Sequence, residues 1–270
     1  MAAIFRKAFR DSRRTVFWLA VGFGLYGLFI MAFYPALLEQ REELDRLLES
    51  YPDEMMAMFY GGDVAELDLT APGPYLQTQF ILFCVLILGV IASVQAFNAL
   101  TNAERDGTLD MLLSLPVSRR RYLLGRMLST ALGVLIVLAA SFGVFWLSTY
   151  IWPEFEVPIG RLALGIMGGF LPVMVVAGFA YLLASFVPSS RRYAGPLVYL
   201  FWLGSYLVYG FASAVETLNP LQPYLLFHYF NGGEVIRRGV VLSEWAVMAV
   251  MALIYFALAW WLVDRKELGV

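Results

Sequence analysis

Residues 75–101 read YLQTQFILFCVLILGVIASVQAFNALT, and not one of them carries a formal charge. A helix over this stretch, at about 1.5 Å of rise per residue, is long enough to cross a hydrocarbon layer about 30 Å thick. Most of its length is apolar, with no charged residue to hold it in water. The stretch therefore predicts a membrane span, and it sets the reading of a chain that is 60% hydrophobic and only 15% charged. No water-soluble fold hides that share of apolar surface.

Five further stretches outward from this one have the same character. The spans expected are 15–38, 75–101, 123–151, 162–187, 194–215 and 245–263, so the fold class is an all-α polytopic membrane protein, one domain over 1–270. The basic residues set its orientation. Of 19 Lys and Arg, 14 fall on one side: five before the first span, five in 105–126, then Arg191, Arg192, Arg265 and Lys266. Arg41, Arg46, Arg161, Arg237 and Arg238 remain on the other, so the positive-inside rule places both termini in the cytoplasm, multi-pass in the plasma membrane.

Residues 3–14 alternate Ile4, Phe5, Ala8 and Phe9 with Arg6, Lys7, Arg10, Arg13 and Arg14. This spacing predicts an amphipathic elbow helix lying in the membrane interface; a plain basic flank is the alternative. The run that follows is too long for a signal-peptide core and lacks a small-residue cleavage pattern, so it reads as an uncleaved first span. Two external segments are expected, at 39–74 and 216–244. The first holds ten carboxylates against two arginines and reads as a solvated face. The second is mildly apolar, and can dip back into the membrane only if protein covers its backbone. Gly165, Gly168 and Gly169 allow a close helix approach in the fourth span, and Pro172 predicts a bend there.

Several chemistries are missing. No span has a charge at its middle, which argues against a proton-coupled carrier or a charged-ring channel. The lone Cys84 lies in an apolar run and reads as a small hydrophobe. The lone His228 lacks partners for a zinc site or a catalytic triad, so no metal and no catalytic residues are expected. No Gly-Lys pair occurs, so the phosphate-binding loop of ATPases is absent and any ATP must be bound by another polypeptide. No basic tract points to nucleic acid.

The loop after the second span is the most informative. Thr108 or Asp106 can cap a short helix whose Leu109, Leu112 and Leu113 share a face, Pro116 stops it, and Ser118 can cap the next helix. Periodicity alone leaves two readings open, a docking helix or a plain connecting loop. Glu104, Gly107, Thr108, Leu109, Leu112, Leu113, Pro116, Val117, Ser118, Arg119, Leu124 and Gly125, in this order, resemble the segment between the second and third spans of type-2 ATP-binding-cassette (ABC) exporter permeases. Ala103 with Glu104, and Arg126, stand where many relatives have two acidic residues and a lysine.

The resemblance implies a coupling helix over 104–116, with Glu104, Gly107, Thr108, Leu109, Leu112, Leu113, Pro116, Ser118 and Arg119 contacting an ATP-binding subunit. It further implies two such subunits carrying ATP and Mg, no cofactor on this chain, and a second permease copy, most simply a homodimer. This chain would then not be an enzyme by itself. Gln95, Asn98 and Asn102, at three- and four-residue steps, and the aromatic residues Tyr199, Trp202, Tyr206 and Tyr209 are candidates for the translocation path or the dimer interface. An uncharged, aromatic route suits amphipathic or hydrophobic molecules. A non-transporting membrane scaffold or sensor is the alternative function.

Overall fold

The computed structural model describes residues 2–48, 68, 70–102, 118–187, 193–212 and 215–265, and among them every regular element is helical. Six helices are long and apolar enough to cross a membrane. In chain order the elements are α1 (Ala2–Glu39), α2 (Arg41–Leu48), α3 (Pro72–Thr101), α4 (Arg119–Ser148), α5 (Ile159–Gly168), α6 (Phe170–Phe186), α7 (Ala194–Ala212), α8 (Gly232–Arg238) and α9 (Leu242–Leu262). The helices α5 and α6 together form the fourth span.

Two expectations are revised. The elbow is not a separate helix: residues 3–14 are the first turns of α1, which runs without interruption to Glu39. Nothing in Arg10–Val16 stops a helix, since neither Gly nor Pro occurs there. Packing also holds the turns in line: Ala8 and Val16 are buried, and Asp11 lies 3.6 Å from Arg126 of α4. The span limits move: most helices begin before the apolar core, in the interface that hydropathy does not mark, while the third ends at Ser148, short of 151. Thus α4 starts at Arg119, capped by the Ser118 side chain, which accepts the Arg121 N–H.

The bend expected near Pro172 falls at Gly168–Gly169, between α5 and α6. Pro172 has no N–H to give the Gly168 carbonyl, so the ladder breaks one turn before it. α6 is the centre of the molecule. Val173, Val175, Val176, Ala177, Ala180, Tyr181 and Ala184 are all fully buried, against α9 on one side and α3 on the other. α1 runs along α4, with Gly24 and Gly27 seated on Val144 and Phe145.

The segment after α7 does enter the helix bundle. Short 3-10 turns over Glu216–Tyr224 and Leu226–His228 lead to α8, and Leu226, Phe227, Phe230, Val235 and Ile236 are buried. Gly232 and Gly233 wedge α8 between α3 and α5. A Cβ on Gly233 would come 2.7 Å from the Gly73 carbonyl oxygen, and one on Gly232 2.9 Å from that of Gly165. Asn231 caps α8 by accepting the Glu234 N–H, and Gln77 of α3 accepts the Gly233 N–H. The first N–H groups of α8 are thus satisfied by protein, the condition under which such a segment could sit within a membrane.

Candidate functional site

The candidate coupling segment is described at its far flank and at the helix end before it. Glu104, Gly107, Thr108, Leu109, Leu112, Leu113 and Pro116 lie outside the described residues. Ser118 is the N-cap of α4, and Arg119 is half-buried in its first turn. On the other side, α3 ends in a π turn over Asn98–Asn102. The Tyr122 hydroxyl of α4 donates to the Ala99 carbonyl inside that turn at 3.0 Å, so the two flanks are tied to each other.

α3 has a second π turn near its start, over Gln77–Ile81. There the Tyr26 hydroxyl of α1 donates to the Gln79 carbonyl at 2.8 Å. Each π turn therefore offers one carbonyl to a tyrosine from a neighbouring helix. A π turn widens the backbone by one residue per turn and commonly marks a functional position, because its hydrogen bonds are easily exchanged for α-helical ones.

The basic end of the bundle is cross-braced through α4. Arg120 Nε lies 2.7 Å from Asp264 Oδ2, an ion pair not aligned for a hydrogen bond, and its guanidinium sits 4.5 Å from the Trp260 ring centre. Arg126 pairs with Asp11 of α1. α4, which begins just after the candidate segment in sequence, thus links α1 to the end of the last span. Arg126 was singled out from the sequence, but its partner Asp11 and the pair of Arg120 with Asp264 were not. Aspartates placed one at each end of the described chain, opposite arginines of the third span, give no local spacing signal.

Of the candidate path residues, Gln95 points inward. The Thr130 hydroxyl donates to Gln95 Oε1 at 3.0 Å and lies 3.0 Å from the Tyr181 hydroxyl. Since Thr130 has one proton and gives it to Gln95, Tyr181 is the donor to Thr130. This chain of three joins α3, α4 and α6, with Thr130 and Tyr181 almost fully buried. Asn98 is exposed at the start of the π turn and Asn102 closes it, so the turn re-phases the face that a 3.6-residue period draws through all three. Thr130 and Tyr181 were legible in principle as isolated polar side chains within apolar spans.

The aromatic residues of α7 divide. Trp202 is fully buried, donates from Nε1 to the Leu86 carbonyl at 3.1 Å, and presses on Gly89, where a Cβ would come 2.5 Å from its ring. Its place is inside the protomer, in helix packing. Tyr206 meets Phe227 edge-on, and Tyr209 faces His228, so both grip the segment leading to α8. Tyr199 is half-buried on the same helix. His228 itself is exposed, and no metal-binding cluster occurs among the described residues. Cys84 is buried.

No curated protein matches the chain. A family model described as an ABC-2 family transporter protein matches residues 2–268, nearly the whole length. The six apolar helices and the end-to-end match agree, and this chain belongs to the ABC-2 transporter family as its membrane-spanning permease.

Proposed function

We propose that the chain is one half of an exporter for amphipathic or hydrophobic molecules, working as a homodimer in the plasma membrane with both termini in the cytoplasm. Two ATP-binding subunits carrying ATP and Mg dock on residues 104–116 and drive it. The observation that carries this reading is the latched π turn of α3, which stands directly before that segment and is tied to α4 directly after it. The segment hangs between the ends of two spans that are already joined, so a push on it reaches both. An isolated helix of this length is marginal in water and needs packing, and a groove on a partner would provide it.

In this mechanism, closure of the ATP-binding subunits moves the segment, and α3 responds at the hinge over Asn98–Asn102 while α4 carries α1 with it. No span carries a charge at its middle, which favours uncharged or amphipathic cargo. Orientation follows from the 14 to 5 division of basic residues. Isolation of the chain from its native host should bring an ATP-binding protein with it. Leu112→Asp or Leu113→Asp should leave the permease in the membrane while abolishing co-isolation, or uncouple ATP hydrolysis from efflux. Normal co-isolation, ATPase rate and efflux in both variants would reduce 104–116 to a connecting loop.

A further inference from the structure

α1 touches α3 only over part of its length. Phe23 and Tyr26 pack on Phe80, and Tyr34 packs on Tyr75, but toward the basic end the two helices part. Between them lies an open groove of about 390 Å³, bounded by Trp18, Gly22, Phe23, Tyr26, Phe83 and Ile87. That is within the size range of ligand sites, roughly 300–1,000 Å³. Its lining is apolar. The one hydroxyl present, on Tyr26, is already given to the Gln79 carbonyl. Apart from the indole N–H of Trp18, the lining offers a polar occupant no further donor, whereas a hydrocarbon chain loses nothing by entering.

Gly22 points to the same use. Glycine in a helix interior is less favourable than alanine, and close packing usually explains it. Gly24 and Gly27 have that explanation in α4, but a Cβ on Gly22 would meet nothing within 4 Å. The missing side chain opens the groove instead of admitting a neighbouring helix.

The polar requirement of an occupant is met just below. Side chains four apart share a face of a helix, so Trp18 is followed down the same row by Arg14 and then Arg10. Both arginines are exposed, and neither forms an ion pair with any described residue. Trp18 is 68% exposed between them and the apolar floor, at the level an interfacial indole takes. Asp11, the acidic residue of this segment, is occupied by Arg126. We propose that the groove binds one acyl chain of an anionic phospholipid from the surrounding leaflet, with its phosphate held by Arg14 and Arg10. Guanidinium suits phosphate because it presents paired N–H groups, and the surrounding Arg6, Lys7 and Arg13 favour a net negative headgroup over a zwitterionic one. A second copy of the chain fits less well, since a two-fold contact along this face would bring like arginines of both copies into the same leaflet.

The site needs only that the chain spans a membrane, so it stands apart from the transport reading. The test is native mass spectrometry of the purified full chain with added phosphatidylglycerol or phosphatidylcholine, together with photo-crosslinking by phosphatidylglycerol carrying a diazirine in its acyl chain. The wild type should retain phosphatidylglycerol in preference, with crosslinks at Phe83 and Ile87. Gly22→Phe, which fills the groove from α1, and Ile87→Trp, which fills it from α3, should each lower occupancy at least about tenfold at unchanged melting temperature. R10Q/R14Q should keep a bound lipid but lose the preference for phosphatidylglycerol. Equal retention of both lipids by the wild type, or undiminished occupancy in whichever filled variant folds, would overturn the proposal. So would efficient disulfide crosslinking of Gly22→Cys between two copies in a Cys84→Ala background, because it would give the groove to a second chain.

Discussion

The two ends of the bundle are held together by different mixtures of contacts. At the α8 end, backbones touch: Gly73 against Gly233 and Gly165 against Gly232, with Phe227 and Phe230 buried behind them. At the basic end Gly125 of α4 also seats closely on Ile4, but polar ties are added to the packing: Arg120 to Asp264, Arg126 to Asp11 and a single Tyr122 hydroxyl. Close packing is short-ranged and has no graded alternatives, so it makes one arrangement. Half-exposed ion pairs and single hydrogen bonds are worth about 1 kcal/mol or less each and re-form readily with water or another partner. The proposed mechanism, driven from the basic end, calls for such an asymmetry: a fixed far end, and a near end with contacts that can be traded.

The comparison is broken most severely by Gly165→Leu. Its side chain has no room, because even a Cβ would lie 2.5 Å from Ile236 Cγ1 and 2.9 Å from the Gly232 carbonyl oxygen. Expulsion of α8 should cost about 3 kcal/mol or more, at or beyond the upper end of ordinary overpacking, and leave little monodisperse protein by fluorescence-detected size exclusion. Normal yield and melting would mean that the α8 end is as adaptable as the basic one.

Next comes the joint between the ends. Thr130→Val strands the Tyr181 hydroxyl and the Gln95 carbonyl oxygen, which should destabilise by about 1–3 kcal/mol, read as a lower melting temperature in detergent. Adding Tyr181→Phe and Gln95→Leu should recover much of that loss, since apolar partners leave nothing unpaired. If the triple variant is as unstable as the single, the joint is held by shape rather than by hydrogen bonds.

A smaller effect is expected of Tyr122→Phe, about 1 kcal/mol for one hydrogen bond. Its signature is local: faster amide exchange over 98–102 with no change over Gln77–Ile81. Tyr26→Phe should give the reverse pattern. Equal protection in both variants would show that the π turns do not depend on their tyrosines.

The smallest effect belongs to Arg120 and Asp264, whose side chains are 37% and 44% exposed. A double-mutant cycle of Arg120→Gln with Asp264→Asn should give a coupling below about 1 kcal/mol that vanishes in 1 M salt, where the screening length is about 3 Å. A coupling that survives high salt would mean that the basic end is locked as firmly as the α8 end.

Much of this architecture could be read from the chain by itself. An uncharged run such as 75–101 has one stable form in hydrocarbon, because a backbone without water must satisfy its own hydrogen bonds, and so the number, order and character of the spans follow from local composition. The break near Pro172 and the small faces at Gly165 and Gly24 to Gly27 follow in the same way, from a missing N–H and missing side chains. Partner choice does not. Trp202 was an aromatic candidate for a path until Gly89 and the Leu86 carbonyl enclosed it, and Gln95 was one of three aligned amides until Thr130 and a π turn separated it from Asn98 and Asn102. Likewise, the choice of α4 as neighbour for the first turns of α1 is marked by Asp11 meeting Arg126, more than a hundred positions away. Such contacts are set by how helices of similar hydrophobicity pack side by side, and with lipid as apolar as leucine, sequence hydropathy carries no information about which faces meet. Small gaps, hydroxyls and charges choose those faces, and only the folded bundle shows which of them come together.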